Sequence, residues 1–444
     1  MKICMITTMT PSSENIRGTS ALPYHLIKGR RTEVLNYNVN DNDNQFVIYT
    51  FNNNGLSDEK IAEVEKELSV KIHKVPLPKW FTFVFKYHLL FIRLFLKYPI
   101  HHYVKLPTKY VEEIKAKNPD VVWVYGAEWS RVVNQFEGFK RIHTLPDSEA
   151  LYYYRMIGER FVTHNWKKFL RCMFMYPKFL ALERTYSTDP TIHYHLVGEE
   201  DANFLKKMNP GIQAHFIRHP HYDVNVVMND NVNDSENRKF HEPKIKLLIA
   251  GQYNLYMKQD ADELIAQLND NKVHTDFTDL TDISKQFNDN VNEKINDNEN
   301  TNYLKEHYEF TFLGKGWEKH VGALRGAGYE VNHIKFAPDY IEEICKHDIQ
   351  ITPISIGTGT KGKVLDALAN GLLVIGTPYA QENIAVKHGE SCIEYRQPSE
   401  VITWLHDIAK DPKRFEEMAR AGQQQVQTLH NPTRVSSQLF KITE

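Results

Sequence analysis

The sequence has 444 residues, 41% hydrophobic and 25% charged, an ordinary globular composition that excludes a disordered or fibrous chain. At roughly 150 residues per domain, that length makes two or three domains. Its 54 Lys and Arg nearly balance 56 Asp and Glu, and a formal charge of -2 excludes a general nucleic-acid binder.

In chain order, MKICMITT opens with an apolar run shorter than the ~7–15 residues of an export signal, and no small-residue cleavage site follows. It reads as a buried first strand over 2–7. Further β-rich runs stand at 45–51 (QFVIYTF), 120–125 (DVVWVY) and 193–197 (HYHLV), with a helical pattern over 106–117 that stops at Asn118-Pro119. The most apolar later stretch, 80–96, is interrupted by Lys86, His88 and Arg93, and falls short of the ~20 residues a membrane span needs. A second set of strands starts at 244–251 (KIKLLIAG) and continues at 308–314, 348–353 and 372–376. Apolar runs that are continuous rather than alternating suit parallel strands covered by helices on both faces. Two α/β domains follow.

Three Asn/Asp-rich tracts, 36–44, 225–237 and 288–302, interrupt the pattern. With few large apolar groups to offset ordering entropy, they are expected to be mobile loops, the middle one an interdomain linker. Cys4, Cys172, Cys345 and Cys392 lie far apart without metal spacing, which suits a reducing, cytoplasmic compartment. Charge is uneven: residues 60–189 carry 22 basic and 13 acidic side chains.

The segment richest in chemistry is 348–380, DIQITPISIGTGTKGKVLDALANGLLVIGTPYA. It reads as strand, glycine loop, helix, glycine and strand. Gly357 and Gly359 let the backbone approach a ligand, and a helix starting near Lys361-Gly362 offers free N–H groups to a diphosphate. Lys361 and Lys363 add positive charge, and Asp366 can accept hydrogen bonds from ribose hydroxyls. The loop is neither a Walker motif, because Val364 follows Lys363, nor a dinucleotide fingerprint, which belongs after the first strand.

This pattern of a strand ending in Pro353, a Gly/Lys loop, VLDALANG and a strand ending in GTP resembles retaining glycosyltransferases of the GT-B fold, family 4. KIKLLIAG, FTFLGKG, the IRGTSALPYHLIKG segment and HYHLVGEEDANFL with IRHPHYD are similar to further parts of that family. The resemblance implies two Rossmann-like α/β domains facing across a cleft: an acceptor-side domain over 1–222, a linker over 223–243 and a donor domain over 244–432. A terminal helix, 433–444, packs back on the first domain. It implies transfer of a sugar, with retention, from a nucleotide-diphosphate donor to a glycan, lipid-linked or polysaccharide acceptor. No cofactor and no metal are implied, the nucleotide-sugar being a substrate.

Carried onto this sequence, the resemblance implies donor contacts from Gly357, Thr358, Gly359, Thr360, Lys361, Lys363, Asp366 and Glu382, with Lys258 and Lys315 as loose candidates. Thr358 stands where many members have a glutamate. Gly18 and Thr19 fall in the acceptor-side loop, and His143 and Asp147 are the candidates beside the reacting sugar. Asp147 reads equally well as a helix cap; the alternatives for Glu382, a cap or solvated acid, and for Lys363, a solvated lysine, are the weaker readings. Asp41/Asp43 and Asp260/Asp262 match a metal motif by letters, but one lies in an Asn-rich tract and the other in a helical pattern; His193/His195 and His219/His221 bring no third ligand. Aromatic-basic stretches at 79–105 and 166–176 suggest an anionic membrane surface as a further partner, at the inner face of the membrane. A nucleotide-sugar epimerase and a non-catalytic sugar-nucleotide-binding module are the alternatives.

Overall fold

The computed structural model describes residues 1–13, 18–36, 46–127, 129–162, 164–222, 224, 239–269 and 297–444. Thirteen strands are named here: β1 Ile3–Thr7, β2 Phe46–Thr50, β3 Lys71–Lys74, β4 Val121–Tyr125, β5 Arg141–Thr144, β6 Ile192–Leu196 and β7 Ala214–Phe216 in the first half, then β8 Ile245–Ala250, β9 Tyr308–Leu313, β10 Glu330–Ile334, β11 Ile349–Thr352, β12 Leu373–Gly376 and β13 Ile393–Glu394. Seven helices bear on the site and are labelled in chain order: α1 Gly18–Asn36, α2 Lys79–Lys86, α3 Glu149–Val162, α4 Trp166–Glu183, α5 Gly362–Ala369, α6 Pro412–Leu429 and α7 Pro432–Lys441.

The strands form two sheets, ordered β3-β2-β1-β4-β5-β6-β7 and β10-β9-β8-β11-β12-β13. Every named pairing is parallel, for example Ile3 opposite Val121 and Ile349 opposite Leu247. The apolar runs are continuous because both faces are covered. Cys4 and Ile6 enter one core of the first domain, while Ile3 and Met5 enter the other. On β4, Val122 and Val124 divide in the same way from Val121, Trp123 and Tyr125. The second domain is built on a third core, into which β8 sends Leu247, Leu248, Ile249 and Ala250.

The chain crosses between the domains a second time at its end. Val435, Leu439 and Phe440 of α7 enter the first domain's core, with the Phe440 ring edge-on to Trp123 at 5.5 Å. Gly29 of α1 admits this crossing, since a Cβ there would lie 2.2 Å from the Pro432 carbonyl oxygen.

The expected tracts at 225–237 and 37–44 lie outside the described residues, as does Asp41/Asp43. The end of the third tract is not a loop: it opens the helix Asp297–His307. No described helix is long and apolar enough to cross a membrane.

Candidate functional site

In both sheets the strand order reverses beside the central strand, between β1 and β4 and between β8 and β11. Such a switch point leaves a crevice beyond the carboxyl ends of the two strands, where open α/β sheets take their ligands. A cavity of about 290 Å³ lies there in the second domain. The loop after β8 lines it with Asn254, Tyr256 and Met257, and the loop after β11 with Ile354, Ile356, Gly357, Thr358 and Lys361. Lys363 of α5 reaches it from below, and Asp147 and Tyr152 close it from the first domain.

The loop's shape follows from its glycines. Gly359 has φ +66°, and a Cβ there would sit 1.8 Å from Asp147 Oδ1, so the carboxylate rests directly on bare backbone. Lys361 folds its ammonium onto the carbonyls of Thr358 and Gly359, each at 2.7 Å. Thr360 Oγ1 donates to the Val197 carbonyl of the first domain at 3.1 Å. Then α5 begins, with Lys361, which lines the cavity, at its N-cap and no side chain capping its first turn. Lys363 donates to the Ala250 carbonyl at 3.0 Å, below Gly251 at the end of β8.

The electrostatics are those of charges held out of water. Burial lowers the Lys361 pKa, against the pull of Asp147, Glu382 and Asp201. Burial, with the Lys361 charge beside it, brings Lys363 down to about 8. Asp147 is raised by burial and drawn back by Lys361. A site with two cations made uncomfortable by desolvation is suited to an anion that replaces the lost water.

Asp147 is not a helix cap. Ser148 takes that part, its Oγ accepting from Leu151 N–H at 3.2 Å. Two buried acids fasten the turn: Asp201 accepts the Ser148 N–H at 2.8 Å, while Glu183 of α4 accepts the Ser148 hydroxyl at 2.7 Å and the Ala150 N–H at 3.0 Å. Asp147 is thereby left to face the cleft. Burial raises the Glu183 carboxyl from 4.5 to about 7, so the folded chain holds this proton more tightly than the unfolded one. Stability present below 4.5 is therefore lost as pH climbs to about 7. Thermal unfolding followed across that window is expected to fall for the wild type and to fall less for Glu183→Gln.

His143 does not belong to the site. It is a strand residue of β5, fully enclosed, with Nε2 donating to the Gly126 carbonyl at 2.7 Å and its ring against Tyr186 and Tyr194. Burial lowers it to about 4 and keeps it neutral. Lys258 and Lys315 do not line the cavity either. Lys258 folds back on Asp262 at 2.5 Å, one helical turn along, and Lys315 is exposed. Asp366 lies one turn into α5, buried, and its charge raises Tyr222 and Tyr340 beyond what their burial does. Gly18 and Thr19 open α1 away from the cavity lining, Thr19 exposed.

Glu382 meets a residue that the sequence did not single out. Arg155 of α3 donates to its Oε1 at 3.0 Å, to the Gly357 carbonyl at 3.0 Å, and to Glu200. Tyr152, one turn earlier, bonds Tyr256 hydroxyl to hydroxyl at 2.8 Å. A cue was present in Tyr152 and Arg155 sharing a helix face, but their partners in the second domain lie more than a hundred residues away.

Among the described residues, no three His, Cys, Asp or Glu stand together to hold a metal ion. His193 bonds His215, and His219 and His221 bond backbone carbonyls.

A family model described as glycosyl transferase-like matches residues 298–441, which include the loop, α5 and most of the second domain. Solved structures align over nearly the whole chain. HepE from Anabaena, in complex with UDP, is 11% identical over 99% of each chain with a TM-score of 0.56. Sucrose-phosphate synthase from Thermosynechococcus elongatus is 11% identical, covers 99% of this chain and 97% of its own, and gives 0.57. WaaG, a glycosyltransferase involved in lipopolysaccharide biosynthesis, is 11% identical over 98% of this chain and 99% of its own, at 0.51. Residues 298–441 are thus similar to glycosyl transferases, and the chain as a whole has the GT-B fold. At these identities the structural likeness is one of fold. No curated protein matches the sequence.

Proposed function

We propose that the chain is a retaining glycosyltransferase that moves a sugar from a nucleotide-diphosphate donor to a glycan, lipid-linked or polysaccharide acceptor. The observation that carries this reading is the placement of the α5 N-terminus, Lys361 and Lys363 around a cavity at the β8/β11 switch point, closed by Asp147 from the other domain. The diphosphate gains charge as the glycosidic bond breaks. Half-buried ammonium groups and helix N–H dipoles meet that charge more strongly in the transition state than in the ground state. The proposal assigns neutralisation of the leaving group to these groups rather than to a metal ion. In it, Gly357, Thr358, Gly359 and Thr360 shape the donor loop, Asp366 serves the ribose, and Asp147 faces the anomeric centre. Structures of the same fold in complex with UDP and UDP-glucose support a uridine nucleotide as the first donor to try. A thermal-shift series with UDP-, GDP- and ADP-sugars tests it, since a bound donor stabilises the fold by mass action. One nucleotide class is expected to raise the unfolding midpoint and to turn over with an acceptor; no shift with any of them contradicts the reading.

We further propose that the first domain works against an anionic membrane surface. From Leu68 to Val111 the chain has eight Lys and Arg and no Asp or Glu. This stretch exposes Phe83, Phe91 and Phe95, the last at 83%. On α4, Trp166, Leu170 and Met173 are exposed at i, i+4 and i+7, among Lys167, Lys168 and Arg171. Such surfaces place aromatic rings at the headgroup boundary while their cations attract acidic lipid. Sedimentation with anionic vesicles is expected at low salt and is expected to weaken as salt rises; absence of binding at low salt removes this part of the proposal.

A further inference from the structure

The face of α3 that meets the second domain reaches the donor loop itself. Tyr152, Arg155 and Met156 stand at i, i+3 and i+4, so they share one side of the helix. Met156 joins Cys172 of α4 in a small apolar cluster with Ile356, across the domain boundary. Arg155 lies beside this cluster. Its Nη1 donates to the Gly357 carbonyl at 3.0 Å and to both Glu382 oxygens at 3.0 and 3.2 Å, and its Nη2 reaches Glu382 Oε1 at 3.0 Å and Glu200 of its own domain.

Two properties distinguish this contact from ordinary interdomain packing. The guanidinium is 17% exposed and Glu382 is 15% exposed, so separating the domains at this point uncovers a charge pair held largely away from water. The fork also grips a loop carbonyl and a carboxylate together, a task its planar, fixed donors suit and a single ammonium does not. Gly357, whose carbonyl it holds, has φ +145°, a conformation that the loop depends on for its turn toward Gly359.

We infer that Arg155 is a positioning residue that ties the shape of the Gly357–Lys361 loop to closure of the first domain. It rests on the proposed reading only for what the loop then holds. The diphosphate site is complete when α3 is seated, and by linkage a ligand that favours the completed loop favours the closed pair of domains. Glu382 then acts as the anchor of this strap, its carboxylate turned to Arg155 rather than to the donor.

The test measures UDP binding by calorimetry, and the radius of gyration of the ligand-free chain by X-ray scattering. It uses the wild type, Arg155→Ala, Arg155→Lys, Glu382→Gln and the double variant Arg155→Ala/Glu382→Gln. Arg155→Ala and Glu382→Gln are each expected to enlarge the ligand-free chain and to weaken UDP on the order of tenfold. The double variant is expected to be no worse than Arg155→Ala alone, because both changes cut one strap. Arg155→Lys is expected to recover little. Unchanged dimensions and unchanged UDP affinity in Arg155→Ala overturn the inference, and so do losses that add in the double variant. A wild type that ignores UDP while Arg155→Ala still expands the chain contradicts the donor reading and leaves the strap standing.

Discussion

Lys363→Met is expected to abolish most sugar transfer while making the ligand-free chain more stable. The side chain is half-buried, its ammonium donating to the Ala250 carbonyl and lying 3.3 Å from Met257 Sδ beside the cavity, so the folded protein carries a largely desolvated cation. An uncharged side chain of similar length fills the same space without that cost. Removing one pre-oriented cation from a developing diphosphate is expected to lower turnover by about 10²–10³-fold. The sign of the pH dependence is fixed. Burial brings Lys363 from 10.5 down to about 8, so between those values the unfolded chain holds a proton that the folded chain lacks, and wild-type stability rises with pH. The stability gain of Lys363→Met is therefore expected to be fullest below about 8 and to shrink as pH approaches 10.5, measured by thermal unfolding of both proteins. Equal stability at all pH values, with wild-type turnover, contradicts the role assigned to this lysine.

Gly359→Ala is expected to abolish most of the proposed sugar transfer through geometry rather than through charge. The residue sits at φ +66°, where a side chain costs roughly 1–2 kcal/mol. The added methyl would also occupy the place of the Asp147 carboxylate, 1.8 Å from Oδ1. Either the loop lifts from the first domain or Asp147 turns away, and a displacement of about 1 Å at a reacting centre costs on the order of 10²-fold in rate. The loop is local, so the unfolding midpoint is expected to fall by much less than the rate. Turnover near wild type in Gly359→Ala contradicts the contact between this loop and Asp147.

How far the sequence could be read depends on what covers each segment. The central strands announced themselves because both faces are buried: KICMIT, DVVWVY and KIKLLIAG were each placed within a residue or two. The edge strands were silent. KIHK of β3 and EVNHI of β10 carry polar residues on a half-covered rim, and β13 is only two residues long. The expectation for His143 failed for a related reason. RIHT of β5 looks like a loop, yet it is a buried strand, in which Arg141 bonds Asp189 and Thr191 and His143 Nε2 bonds the Gly126 carbonyl.

The donor loop was legible because its glycines, lysines and helix start are contiguous, so local chemistry alone defines it. Lys258 was a natural choice for a cation near the end of β8, and the structure fills that place from elsewhere: Lys363, more than a hundred residues later, stands beneath Gly251. Arg155, Tyr152 and Tyr256 were out of reach because their meaning comes only from two domains meeting.

The most direct test is a crystal structure of the chain with a UDP-sugar bound. Its two phosphates are expected against the first N–H groups of α5, within hydrogen-bonding reach of the Lys361 and Lys363 ammonium groups, with the sugar turned toward Asp147. Phosphates bound in the first domain, or anywhere that leaves both lysines on their present backbone partners, would contradict it.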